Sequence, residues 1–378
     1  MLALPWRRGQ GRATGQEATV QFLDRLLRWW RGHPVTATEP ATPPPVGRKR
    51  GVVDHVIILD GTFSTLNPGH ESNAGLLFHL LQEGGPRVHR TVYYEPGLQW
   101  EGWRYGWDII QGKGINRQIR RAYGWLASHY REGDRIFLFG YSRGAYAVRS
   151  LAGVIDRVGL LKRDHATERG VTLVYRHYQT DPDTGASRAF AQRFCHLESP
   201  IQLVGVWDTV KSLGLKLPFF WMLTEDKSAF HNHSLGSSIR HGAQALAIDE
   251  TRHAFAPILW DCPPGWEGNV EQVWFRGAHA DVGGQIGEFQ DARPLANIPL
   301  VWMLERAETL GLELPPGWRD RFPCDASAPM VGTWRSWGKW FILRGKRRVG
   351  FDTSERIHPT AVKPAKTRWR LNPFARQA

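Results

Sequence analysis

The chain has 378 residues, with 49 Lys and Arg against 36 Asp and Glu, for a formal net charge of +13. At this length it can bury a large core, as one domain with insertions or as two, and 42% hydrophobic with 22% charged residues excludes a disordered or fibrous chain. Three cysteines without a Cys-x-x-Cys pair exclude a disulfide framework, and the lack of an apolar run of about 18 residues leaves no expected transmembrane helix.

The start, Met1-Leu-Ala-Leu-Pro-Trp-Arg-Arg8, lacks the apolar core of a secretory signal. We therefore expect the chain to fold in the cytoplasm of the producing cell, with export by a signal-free route left open. Residues 1–50 carry nine basic and three acidic residues, residues 333–378 carry twelve and two, and residues 51–332 are left at −3. A nucleic-acid enzyme carries its basic residues along its working face. Here the basic excess sits in the two flanks, which suits anchors or tails better than a nucleic-acid partner.

Along Glu17–Arg31, Val20, Leu23, Leu27 and Trp30 fall on one stripe and Arg25, Arg28 and Arg31 on another. The segment 1–33 thus reads as a basic amphipathic helix, either a membrane-surface anchor or a helix packed on the domain. Residues 34–50 are a proline-rich linker, and a domain is expected over 51–332. Val52–Leu59 is its first strand, Ala74–Leu81 has helical spacing, and Val88–Tyr94 is a second strand. Residues 98–114, rich in Gly and Trp, are expected as a loop, and Ile115–Tyr130 as a helix. Residues 136–139 form a short apolar strand, followed by helical spacing at Ala145, Val148, Leu151, Ala152 and Ile155. Residues 160–199 are expected as a helical insertion, Ile201–Trp207 as a strand, and 211–236 as a second insertion. Ile239–Phe255 reads as a helix, Val270–Arg276 as a strand and Pro299–Leu310 as a helix. Residues 333–378 form a basic, Trp-rich segment. Strands alternating with helices predict an α/β fold of the α/β-hydrolase type: a mostly parallel central sheet flanked by helices, with helical insertions over the active-site edge.

Gly140-Tyr-Ser-Arg-Gly144 sits between the apolar strand and the helix. With 40 Gly in 378 residues, Gly-x-Ser-x-Gly is expected by chance roughly 0.17 times, so the bare motif is weak and its context decides. A strand turning sharply into a helix, with Ser142 at the turn, has the form of a nucleophile elbow. Gly140 and Gly144 remove side chains where strand and helix would collide. Two further strands end in a polar residue followed by turn residues, at Asp208 and at His279. The order Ser, acid, His is that of α/β hydrolases, and a parallel sheet brings all strand carboxyl ends to one edge. Ser142 would be the nucleophile, His279 the base and Asp208 the group that orients it. The oxyanion hole would use the N–H of Arg143 and one from the loop after the first strand, at Gly61 or Thr62. Asp281 is the rival acid and His358 the rival base. Asp60 either serves the site or holds its own turn. His279-x-Asp281 has no third ligand at standard spacing, so neither a metal nor another cofactor is expected.

Asp60-Gly-Thr, Gly140-Tyr-Ser-Arg-Gly-Ala, Gly205-Val-Trp-Asp-Thr-Val, Ala245-Leu-Ala-Ile-Asp-Glu-Thr-Arg, Trp274-Phe-x-Gly-x-His-x-Asp-Val-Gly-Gly284 and Ile357-His-Pro occur together in that order. The set resembles the α/β-hydrolase domain family that includes type VI secretion phospholipase effectors, over about 51–360. The resemblance implies a triad on Ser142, Asp208 and His279, hydrolysis of lipid acyl esters, and a secretion-system or immunity-protein partner. The Trp-bearing basic flanks fit peripheral contact with a lipid surface. Two other readings are an esterase or acyltransferase on small soluble esters, and a non-catalytic protein that binds anionic lipid or nucleic acid.

Overall fold

Seven strands form one sheet with the spatial order β2-β1-β3-β4-β5-β6-β7, and every pairing is parallel. They are β1 (Asp54–Leu59), β2 (Arg90–Glu95), β3 (Arg135–Tyr141), β4 (Ile201–Trp207), β5 (His241–Ala247), β6 (Asn269–Phe275) and β7 (Glu355–Ile357). The helices are α1 (Asn73–Gln82), α2 (Lys113–His129), α3 (Arg143–Arg157), α4 (Glu168–Thr180), α5 (Gly185–Phe194), α6 (His279–Gly283) and α7 (Arg293–Thr309). This is the architecture of a computed structural model that describes residues 51–83, 85, 87–97, 113–210, 235–262, 269–335, 341 and 343–361. All of them belong to one compact unit, Ala37–Ala378. The expected helix in 1–33, the linker 34–50 and nearly all of the loop 98–114 and the insertion 211–236 lie outside the described residues.

The strands alternate as a pleated sheet covered on both faces requires. Ile57, Leu59, Ile136, Leu138, Val204 and Val206 join one core with α2, α3 and α4. Val56, Ile58, Phe137, Phe139, Leu203 and Trp207 join the other with α1 and α7. The insertion expected over 160–199 is helical, and Val171, Val174, Tyr175 and Tyr178 of α4 pack into the α2–α3 core.

Three expectations are corrected. Ile239–Phe255 is not a helix: its centre is β5, with β4 and β6 on its two sides. The alanines that suggest a helix are there because this central strand is buried, with Ala243, Ala245 and Ala247 at most 2% exposed. Two parallel neighbours supply its hydrogen bonds, so pairing outweighs helix propensity. The helix expected from Pro299 begins at Arg293, and Pro299 lies inside it. The fold also does not stop at 332, because β7 adds to β6 from the Trp-rich basic segment.

The sheet places the site. β1 lies between β2 and β3: the chain steps from β1 to β2 on one side and then crosses back to β3 on the other, and a reversal of this kind opens a crevice at the strands' carboxyl ends. Gly144 lets α3 start against the end of β1, since a Cβ there would stand 2.0 Å from the Leu59 carbonyl oxygen. Gly140 allows the tight turn in the same way: its Cβ would meet the Ala145 Cα at 2.7 Å.

Candidate active site

Ser142 follows β3 and caps α3, with φ 56° and ψ −118°. This backbone is costly for a residue with a Cβ and holds only because the surroundings impose it. The Ser142 N–H donates to the Trp207 carbonyl, 3.0 Å, and its own carbonyl accepts from Tyr146, 3.2 Å. The hydroxyl is held clear of strand and helix, yet the residue is only 8% exposed.

Asp208 follows β4, again with positive φ, 42°, and its N–H donates to Ala245 O, 2.7 Å. His279 opens α6 after β6. Its Nε2 lies 2.8 Å from Ser142 Oγ and its Nδ1 2.6 Å from Asp208 Oδ2. Three residues up to 137 positions apart therefore form one line of hydrogen bonds at the sheet's carboxyl edge. The imidazole stacks on Tyr141, ring centroids 5.0 Å apart, and packs on Phe255, 4.9 Å. Glu250 Oε2 accepts the His279 backbone N–H, 3.1 Å. Glu250 is itself paired with Arg252, 2.7 Å, whose guanidinium lies over Phe255, 3.9 Å.

Asp208 is fully buried. Burial alone would raise its carboxyl, but the Arg347 guanidinium and the His279 bond outweigh this and hold it well below the usual carboxylate range. Arg347 donates to Oδ1 at 2.6 Å and to Oδ2 at 3.0 Å, and the Ala247 N–H donates to Oδ1 at 3.0 Å. In sequence Arg347 is one of the basic residues of the C-terminal segment. The stretch Gly345-Lys-Arg-Arg348 carries no local signal of a site; Glu250 and Arg252 lie in the motif Ala245-Leu-Ala-Ile-Asp-Glu-Thr-Arg, with no sign in it that they serve His279.

The rivals are placed elsewhere. Asp281 accepts from the N–H groups of Ala278, 2.8 Å, Val331, 2.6 Å, and Gly332, 3.2 Å. It ties the start of α6 to residues 331–332, and burial pushes its carboxyl up despite those donors. His358 stacks on Phe275, 4.7 Å, and meets Thr360 Oγ1 at 2.7 Å. With both His279 nitrogens and the Asp281 oxygens engaged in this way, His279-x-Asp281 is not arranged as a ligand pair.

Asp60 holds its own turn. It accepts from Gly61 N–H at 2.6 Å, from Ser72 Oγ at 2.7 Å and from Tyr94 OH at 2.8 Å, and burial raises its carboxyl in spite of them. The Gly61 N–H is thereby taken, which corrects its place as an oxyanion donor. Thr62 remains. Its carbonyl is held by Gln285 Nε2 at 3.0 Å, just past α6, and its buried Oγ1 has no partner among the described residues. The second expected donor, Arg143 N–H, lies in the first turn of α3, where backbone N–H groups have no helical acceptor. Burial pushes the Arg143 guanidinium down to about 10.

Asp281→Ala separates the two candidate acids. It leaves buried N–H groups unpaired and should lower stability by about 1–3 kcal/mol in a urea melt, while kcat on an ester changes less than about tenfold. A loss of about 10⁴-fold would mark Asp281 as the triad acid instead.

Residues 54–306 match the family model T6SS, phospholipase effector Tle1-like, catalytic domain. The chain belongs to this family. Among curated proteins, the uncharacterized protein YEL023C of Saccharomyces cerevisiae is 26% identical to the Tle1-like chain over 235 residues, 55% of this chain and 33% of the yeast protein. Among solved structures, a Tle1 effector bound to the VgrG spike of the type 6 secretion system is 20% identical, covers 70% of this chain and 58% of its own, and has a TM-score of 0.36. The RedJ thioesterase of prodiginine biosynthesis in Streptomyces coelicolor is 15% identical, covers 78% and 97%, and has a TM-score of 0.27. The chain thus spans about a third of the yeast relative and 58% of the Tle1 effector. Overlaps with such TM-scores carry no weight for the site, and Arg347 lies outside the stretch that matches the family.

Proposed function

We propose that the chain hydrolyses acyl esters of lipids at a membrane surface, with Ser142 as nucleophile, His279 as general base and acid, and Asp208 as the anion that orients it. The observation that carries this reading is the unbroken line Ser142 Oγ–His279 Nε2–Nδ1–Asp208 Oδ2, at 2.8 and 2.6 Å.

In the first step the Ser142 oxygen attacks the ester carbonyl while its proton passes to His279 Nε2. The oxyanion of the tetrahedral species is met by the N–H groups of Arg143 and Thr62, worth about 10²–10³ in rate for each donor. Collapse breaks the bond to the alcohol oxygen, which leaves with the His279 proton. The acyl group stays on Ser142. Water, deprotonated by His279, then attacks that acyl-enzyme; the acid departs and Ser142 Oγ takes back its proton. Asp208 stays ionised throughout, which its donors favour. The steps draw on side chains and backbone N–H groups alone.

The lipid substrate is supported by the family, whose model is that of a phospholipase effector. It is supported too by exposed apolar and basic groups beyond β6. Trp334 is 68% and Phe351 71% exposed, and Arg344 lies over the Trp334 ring at 3.6 Å. Trp and cations together favour an anionic headgroup zone. In this reading the protein is peripheral to the membrane. Family membership extends the proposal to delivery by a type VI secretion apparatus.

Mass spectrometry of mixed phospholipid vesicles should show free fatty acid and lysolipid with wild type and neither with Ser142→Ala. Hydrolysis of short nitrophenyl esters with vesicles left intact would make the chain an esterase or acyltransferase for small soluble esters. Vesicle binding with no labelling of Ser142 by a fluorophosphonate would make it a binding protein.

A further inference from the structure

We propose that Arg347 is a positioning residue of this hydrolase, holding the Asp208 carboxylate in the plane that faces His279. The inference rests on the hydrolase reading above. It adds a component supplied from beyond the stretch that matches the family.

The delivery of Arg347 is a built feature. Residues 343–345 run alongside 251–253: His253 N–H donates to Leu343 O at 3.1 Å, Gly345 N–H donates to Thr251 O at 2.8 Å, and Arg252 and Arg344 form an antiparallel bridge. Arg344 donates to Thr251 Oγ1 at 3.2 Å and to Thr333 Oγ1 at 2.9 Å. Two residues on, Lys346 and the following Arg348 are exposed while the Arg347 side chain is turned inward, 6% exposed. It grips both Asp208 oxygens and also donates to the carbonyls of Ala247 and Phe255. Both terminal nitrogens are thus committed to protein acceptors, and Nε is buried. The guanidinium is spent on protein groups, and of these the one hydrogen-bonded to the base is Asp208.

The physical consequence is specific. A forked guanidinium on a carboxylate fixes orientation as well as charge. It also places a permanent cation against the triad acid, which favours the ionised carboxylate. The other groups facing His279 are Tyr141, stacked on the ring, Glu250 on its backbone N–H, Arg252 paired with Glu250, and Asp281 on its own helix, bound to backbone N–H groups. Glu250 and Arg252 form a pair of zero net charge, and Asp281 is engaged at three N–H groups. Arg347 is thus the cation bonded to the triad acid itself.

The test compares wild type, Arg347→Met and Arg347→Lys on a soluble nitrophenyl ester, with fluorophosphonate labelling of Ser142. Arg347→Met should lower kcat about 10²-fold with KM within about threefold. Arg347→Lys keeps the charge and loses the fork, so kcat falls only about tenfold. In an Asp208→Asn background, Arg347→Met should have little further effect on kcat, since both act through one carboxylate. Wild-type kcat in a folded Arg347→Met, or losses that simply add to those of Asp208→Asn, overturns the inference and leaves Arg347 a strut. If Arg347→Met does not fold, full wild-type kcat in Arg347→Lys overturns it just as well. Wild type that is neither labelled nor active overturns the hydrolase reading itself, a result distinct from the others.

Discussion

Ser142→Ala should abolish ester hydrolysis, with kcat lowered by about 10⁶-fold, and leave the fold intact. The nucleophile is the one group no neighbour can replace: His279 Nε2 faces the hydroxyl at 2.8 Å, and the next residue, Arg143, enters the helix. The backbone strain at φ 56° is the same for Ala as for Ser, because it arises from Cβ and not from the hydroxyl. The stability cost is limited to one hydrogen bond, about 1 kcal/mol. The measurements are nitrophenyl ester turnover, the mass of the fluorophosphonate adduct, which should vanish, and the melting temperature, which should barely move. Activity equal to wild type, or an adduct carried on another serine, would remove Ser142 from the mechanism.

Asp208→Ala should cost stability and rate together. It strands the inward-turned Arg347 beside His279 with no anion, and breaking a buried pair from one side costs about 3–5 kcal/mol. The imidazole also loses the acceptor on Nδ1 and with it the tautomer that leaves Nε2 basic, so kcat should fall about 10⁴-fold. The pH dependence has a definite sign. The Asp208 carboxyl is held below its usual 3.8 in the folded chain. Its contribution is therefore complete above that value and is lost as pH falls below it. The stability gap between wild type and Asp208→Ala should be flat from about pH 5 to 8 and narrow only in acid. A gap that opens as the pH falls, or no gap in urea midpoints at neutral pH, would be incompatible with this ion pair. Asp208→Asn keeps the volume and should lose a similar factor in rate.

The elbow was legible because all its causes are local. Gly140, Ser142 and Gly144 lie within five residues, and the apolar run and helical spacing on either side say which way the chain enters and leaves. Asp208 and His279 were legible for a similar reason: each ends an apolar strand, and a parallel sheet gathers strand ends whatever their separation in sequence. The family resemblance rested on the same short motifs, and the match over 54–306 agrees with it.

What the tertiary structure alone decided depends on contacts that have no local trace. In sequence Asp208 is the preferred acid, and Asp281, two residues past His279, stays a rival. Asp208, at the end of β4 beside β5, reaches Nδ1, and Asp281 is consumed by Val331 and Gly332 fifty residues on. Gly61 fits an oxyanion loop until Asp60 turns back and takes its N–H. The stretch around Ala243–Ala247 has the composition of a helix, and only β4 and β6 on its flanks make it a strand. Arg347 is one cation among many in a basic stretch, and nothing within a few residues distinguishes it from Arg348. Its role exists because residues 343–345 dock beside Thr251–His253 and carry one side chain inward to a carboxylate 139 positions earlier. Sequence alone therefore determined the elbow at Ser142 and the sheet edge where it stands; the company that serine keeps was decided by long-range packing, since charge pairing and strand pairing depend on distance in space and not along the chain.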